Sequence, residues 1–88
     1  MERLNENKPE VTPELIEQVR EIFSAEVERD AKRNVFSQTT VDKIKTNIKL
    51  DIRARGTLLD DILVGTVVNR LGIRNMEIVD KLRDEFFD

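Results

Sequence analysis

Adjacent carboxylates, a row of glutamates and a run of basic residues are the side chains of this sequence whose types and spacing could do chemistry. Asp60 and Asp61 form the tightest acidic pair, and neighbouring carboxylates act as acid and base when burial sets their pKa values apart. The same two residues open the element that follows "RGT", where acids meet the positive end of a helix and consecutive side chains diverge by about 100°. Capping is therefore their expected role. Glu10, Glu14, Glu17, Glu21 and Glu28 recur at helical spacing and have the charge to hold a hard cation or a basic partner. No calcium-loop spacing with its glycine accompanies them, so a solvated helix face is expected. Gly56, Gly65 and Gly72 stand too far apart to cradle a phosphate.

The residue inventory narrows the chemistry further. The 88 residues include no cysteine and no histidine, which removes disulfides, thiolate nucleophiles, the usual base near neutral pH and the common zinc ligands. With no tyrosine or tryptophan, four phenylalanines remain as stacking platforms for single-stranded nucleic acid, and their positions read as buried. No enzymatic activity, no cofactor and no metal site are expected. "MERLNENKPEV" has no apolar stretch of the signal-peptide kind, and no run approaches the roughly 20 apolar residues of a membrane span. A soluble, cytoplasmic protein with no membrane partner is expected.

Charge is spread unevenly around the net value of −3. Residues 1–28 carry eight acids against three bases, residues 29–55 eight bases against three acids, and residues 56–88 seven acids against four bases. A basic middle between acidic ends can meet nucleic acid or be neutralised within the molecule. Internal neutralisation is the preferred explanation.

The elements that must position these groups follow from capping and periodicity. Residues 1–11 read as a flexible arm, and residues 12–88 as a single helical domain. Thr12 followed by Pro13 marks a helix start, and Ile16, Val19, Phe23 and Val27, with Leu15 and Ile22 beside them, predict a helix from Pro13 to Asn34. Val35 and Phe36 are expected to anchor the loop that follows. Gly56 closes the next element, and Thr57 with Asp60 resembles a capping box for a helix over residues 58–71. That helix is apolar on most sides, which makes Leu59, Leu63, Val64, Val67, Val68 and Leu71 the expected dimer or partner interface. Gly65 within it costs about 1 kcal/mol relative to alanine, and close approach of another backbone is the expected reason for its presence. Gly72 stops the helix and Asn75 caps the last one, whose apolar face is Ile78, Val79, Leu82 and Phe86.

The segment "KIKTNIKLDIRARGT", residues 43–57, carries two periods at once. As a strand it places Ile44, Thr46, Ile48, Leu50, Ile52 and Ala54 on one face, opposite a basic face that only Asp51 interrupts. As a helix it aligns Val41, Ile44, Ile48 and Ile52 but strands Leu50 and Ala54 on the far side. A lone strand needs a partner and no second strand-like run exists in the chain, so a strand here implies a dimer.

A basic alternating strand, a helix, a glycine turn and a second helix, over residues 46–87, resemble the ribbon-helix-helix DNA-binding dimers. The piece "LGIRNMEIVDKLRDEFF" is the part most similar to that family's turn and second helix. The resemblance implies Leu71, Gly72 and Ile73 at the turn, and Ile78, Val79, Leu82 and Phe86 in a dimer core. It further implies Arg53 and Arg55, with Asp51, at base-reading positions of an intermolecular ribbon. The junction also looks like two helices of a helix-turn-helix. Yet Glu77, Asp80, Asp84, Glu85 and Asp88 outnumber Arg74, Lys81 and Arg83 on the second of them, the wrong balance for phosphate contact.

The expected fold is mainly α, a small bundle of about four helices in which residues 40–55 form the fourth, dimeric through the helix at 58–71. Its alternative is the ribbon arrangement, with residues 44–55 as an intermolecular strand plus an extra N-terminal helix. The expected function is a non-enzymatic protein-protein interaction module, such as an adaptor, inhibitor or regulatory subunit, with a second copy of the chain as a partner. The alternative is a dimeric DNA-binding transcriptional regulator that uses the basic 43–55 segment, with Lys45, Lys49, Arg53 and Arg55 in contact with nucleic acid.

Overall fold

The computed structural model describes residues 11–31 and 36–88. It contains four α-helices: α1 (Pro13–Ala31), α2 (Gln38–Lys45), α3 (Leu58–Gly65) and α4 (Met76–Phe86). A 3-10 turn at Ile52–Ala54 precedes α3, and a π-helical continuation over Thr66–Arg70 follows it. Among the described residues the single β-pairing is a parallel bridge between Leu50 and Phe87, so the fold is mainly α, as expected. The arm at residues 1–10, Glu10, Val35 and the expected last turn of α1 at residues 32–34 lie outside the described residues.

The helix starts form as the sequence chemistry requires. Thr12 Oγ1 accepts from the Leu15 N–H at 3.1 Å, and Pro13 occupies the first helical position, where its missing N–H costs nothing. Ser37 opens α2 by accepting from the Thr40 N–H, and Asn75 opens α4 by accepting from the N–H groups of Glu77 and Ile78. Buried stripes then hold the helices together: Val19, Phe23 and Val27 of α1, Val41 and Ile44 of α2, Leu59 and Leu63 of α3, Val67, and Ile78, Val79, Leu82 and Phe86 of α4. Each such side chain contributes about 1.5–3 kcal/mol on burial. Phe36 packs half-buried against this core, as a loop anchor should.

The expected helix over residues 40–55 ends early, at Lys45. Asn47 adopts φ +63°, and the chain closes with Asn47 N–H donating to the Ile44 carbonyl and Ile48 N–H to the Lys43 carbonyl. Those two bonds satisfy the last carbonyls of α2 and turn the chain away from the helix axis, a device that asparagine can supply in place of glycine. Beyond it neither period holds. Ile44 and Leu50 are buried, whereas Ile48 and Ile52 are 55% and 51% exposed. Leu50 makes the strand-type pairing of this stretch, exchanging hydrogen bonds with the segment around Phe87, and Asp51 beside it is also extended.

Two local expectations at α3 also need correcting. Thr57 makes no side-chain cap. Its hydroxyl donates back to the Ala54 carbonyl, and Asp60 instead accepts from the Gly56 N–H at 3.0 Å, one residue earlier than a capping box would have it. Gly56 has φ +83°, which explains glycine there. Gly65, by contrast, has ordinary helical angles, and among the described residues a Cβ there would meet only the Asn69 side chain, at 3.8 Å, and no other backbone.

Candidate interaction surface

The carboxylate pair that opened the chemical reading is split by the fold. Asp60 is 3% exposed and Asp61 is exposed, so the two do not share a site. The Asp60 carboxylate is held as a fork by Arg83 of α4, with Nε to Oδ1 at 3.0 Å and Nη2 to Oδ2 at 2.7 Å. The hydrogen bonds to Asp60, more than any other contact, raise the Arg83 pKa and keep it firmly charged. The glutamates Glu14, Glu17 and Glu21 are exposed on α1, while Glu28 meets Lys45 at 3.2 Å. An open groove of about 880 Å³ runs beside these acids from Pro13 to Ser24. Among the described residues, no buried polar side-chain atom lacks a hydrogen-bond partner, so none is left waiting in it for a ligand.

The apolar residues of α3 and its continuation divide into two sets. Leu59, Leu63 and Val67 are buried in the chain's own core. Ile62, Val64, Val68 and Leu71 pack against that core but stay partly exposed. More than half exposed are Ile48 and Ile52 between α2 and α3, Leu58 at the start of α3, and Met76 at the start of α4.

Three of the five basic residues of the 43–55 segment are paired with carboxylates, and exposed Lys43, like Lys49, has none among the described residues. Lys45 pairs with Glu28, Arg55 with Asp84 at 2.7 Å, and Arg53 with Asp51 through two side-chain bonds of 2.8 and 3.1 Å. Lys49 is exposed and has no carboxylate partner among the described residues. Internal pairing with α1 and α4 thus accounts for Lys45 and Arg55, and leaves Lys49 and the 88%-exposed Arg53 side chain facing solvent.

The Asp51–Arg53 pair sets the geometry of this surface. Asp51 caps the 3-10 turn by accepting from the Arg53 N–H at 2.9 Å. The Arg53 side chain first, and then this N–H, hold the Asp51 carboxyl well down, from 3.8 to about 2. A depressed carboxyl supports the folded turn above its ordinary pKa and loses that support as pH falls through the folded value, here between 3.8 and about 2. Carboxyl NMR titration is expected to return about 2 for Asp51, rising toward 3.8 in Arg53→Ala. A wild-type value of 3.8 would mean that the pair does not persist in solution.

Two residues with structural consequence escaped the sequence reading. One is Asp60 in its pairing with Arg83, since the partner lies 23 residues away and on another helix. The other is Arg20, only 8% exposed, whose Nη1 donates to the Ile44 carbonyl at 3.0 Å and whose guanidinium lies 5.1 Å from the Phe86 ring centre. Its signal was present, because Arg20 falls four residues after Ile16 and three before Phe23, inside the apolar stripe of α1. No helix among the described residues is long and apolar enough to cross a membrane. Compared with known proteins, the chain matches no family model, no curated protein and no solved structure.

Proposed function

We propose that this protein is a non-enzymatic protein-protein interaction module that associates with a second copy of itself through the outer flank of α3 and its continuation. The observation that carries the reading is the division of α3. Leu59, Leu63 and Val67 fill the core, and Val64, Val68 and Leu71 still leave an apolar stripe partly open. A stripe of this kind is self-complementary about a two-fold axis, the commonest form of association. An 88-residue chain also gains from a partner, because a domain of about this size buries only about 60% of its unfolded surface.

Sedimentation of the wild type across the micromolar range, beside the Val64→Asp, Val68→Asp double variant, tests the reading. The wild type is expected to sediment as a dimer and the double variant as a helical monomer. A wild type that stays monomeric throughout would overturn self-association. The DNA-binding alternative draws support from Lys49 and from the exposure of Arg53. It requires duplex binding that Arg53→Ala with Arg55→Ala weakens and that rising salt abolishes.

A further inference from the structure

The extended stretch between the Asn47 turn and the 3-10 turn at Ile52 has one occupied edge and one open edge. On the occupied side Leu50 donates its N–H to the Phe86 carbonyl at 2.8 Å and accepts from the Asp88 N–H at 2.9 Å. In an extended chain, neighbouring residues direct their backbone groups to opposite sides, so Lys49 and Asp51 direct theirs away from the C-terminal segment. Among the described residues, the Lys49 N–H and carbonyl and the Asp51 N–H have no hydrogen-bond partner, and both residues are exposed. An unpaired edge of this kind is a template for strand addition.

The surroundings of the edge say what kind of strand it fits. Ile48 and Ile52, at either end, are 55% and 51% exposed, and offer apolar contact to alternate side chains of an incoming segment. Lys49 lies between them with no carboxylate partner among the described residues, and Arg53 is adjacent. A second copy of this edge carries the same net positive charge, Lys49 and Arg53 against Asp51, so it is less complementary to the edge than an acidic strand. Phosphodiester oxygens accept but do not donate, so nucleic acid leaves the Lys49 carbonyl unmatched and the two isoleucines uncovered. An acidic polypeptide with apolar residues in alternation matches the open backbone groups, the two isoleucines and Lys49, while Arg53 stays paired with Asp51.

We propose that the outer edge of residues 48–51 captures, by strand addition, an extended segment of a partner protein in which apolar and acidic residues alternate. The inference rests on the reading of the chain as a protein-binding module but uses a surface separate from α3.

A displayed library of random peptides, panned against the full chain at low salt, tests it. Enriched sequences are expected to alternate valine or isoleucine with aspartate or glutamate. Their binding is expected to slow amide exchange at Lys49 and Asp51, and to weaken about tenfold in Lys49→Glu. Methylating the peptide's edge-facing amides should abolish binding, which tests the backbone bonds without altering the protein. Capture that survives Val64→Asp with Val68→Asp supports a site distinct from the dimer flank. A library that yields no binder overturns the proposal, and so does one whose binders protect α3 or tolerate methylation. Protection of Lys49 and Asp51 by duplex DNA, or by raising the concentration of the protein alone, would overturn it in favour of those occupants. Self-pairing at this edge would leave the Val64→Asp, Val68→Asp variant dimeric, and the other outcomes do not bear on sedimentation, so the two readings fail separately.

Discussion

Arg83→Ala is expected to destabilise the protein by about 3–5 kcal/mol, the cost of breaking a buried ion pair by removing one partner. The Asp60 side chain is 5% exposed and that of Arg83 is 23% exposed, so the substitution removes the more accessible partner and leaves the more buried charge. What remains to the carboxylate is the Gly56 N–H at 3.0 Å. Chains of this length have total stabilities on the order of 4–13 kcal/mol, which makes the loss a large fraction of the whole. Arg83→Lys should recover part of the charge but not the two-pronged geometry, because an ammonium cannot replace a planar fork. Replacing both partners, Asp60→Leu with Arg83→Met, is expected to cost much less than Arg83→Ala, since no charge is then stranded. Urea unfolding followed by helical circular dichroism measures all three. A cost for Arg83→Ala of under about 1 kcal/mol, the range of exposed pairs, would show that the pair is open to solvent.

The consequence reaches the proposed binding surface because Asp60 joins two things. Through Arg83 it ties the first turn of α3 to α4, and through the Gly56 N–H it fixes the end of the 48–57 segment. Local spacing predicts helix capping for Asp60 and nothing more. A partner 23 residues away on another helix becomes visible only when the helices pack.

The same distinction separates what was legible elsewhere. Thr12, Gly72 and Asn75 announced their boundaries because caps are local chemistry, and α1 and α4 announced their buried faces because 3.6-residue periodicity is local geometry. The stop at Asn47 was hidden because the left-handed cap there uses asparagine, whose presence in a sequence permits that conformation without requiring it. The two apolar sets of α3 could not be told apart for a different reason. Leu63 and Val64 are equally apolar, and which of them is buried depends on where α1 and α4 come to rest. Lys45 and Arg55 likewise read as members of a basic face. Their partners Glu28 and Asp84 lie on α1 and α4, which only the tertiary fold brings alongside.

Phe86→Ala is expected to cost about 4–5 kcal/mol, near the top of the range for deleting a buried ring. The ring is 3% exposed and meets Phe23 edge-on, with centres 5.6 Å apart and planes at 82°. It also carries the Arg20 guanidinium on one face. Deletion therefore removes apolar burial, an aromatic pair and the neighbour of a buried cation together. Phe86→Leu, which keeps most of the volume, should cost only about 1–1.5 kcal/mol, so the difference between the two isolates the packing component. Pairing Phe86→Leu with Arg20→Met in a double-mutant cycle should give a coupling of about 0.5–2 kcal/mol for the cation on the ring. Arg20 also donates to the Ile44 carbonyl in the last turn of α2, so loosening it frees the helix end from which the 48–51 segment departs. The Phe86 backbone would still accept from Leu50, because alanine keeps that carbonyl. Faster amide exchange at Ile48, whose N–H closes α2, with exchange at Leu50 less affected, would trace the disturbance through Arg20 rather than through the bridge. A loss of under about 2 kcal/mol, or zero coupling in the cycle, would mean that the ring and the guanidinium are not packed together in solution.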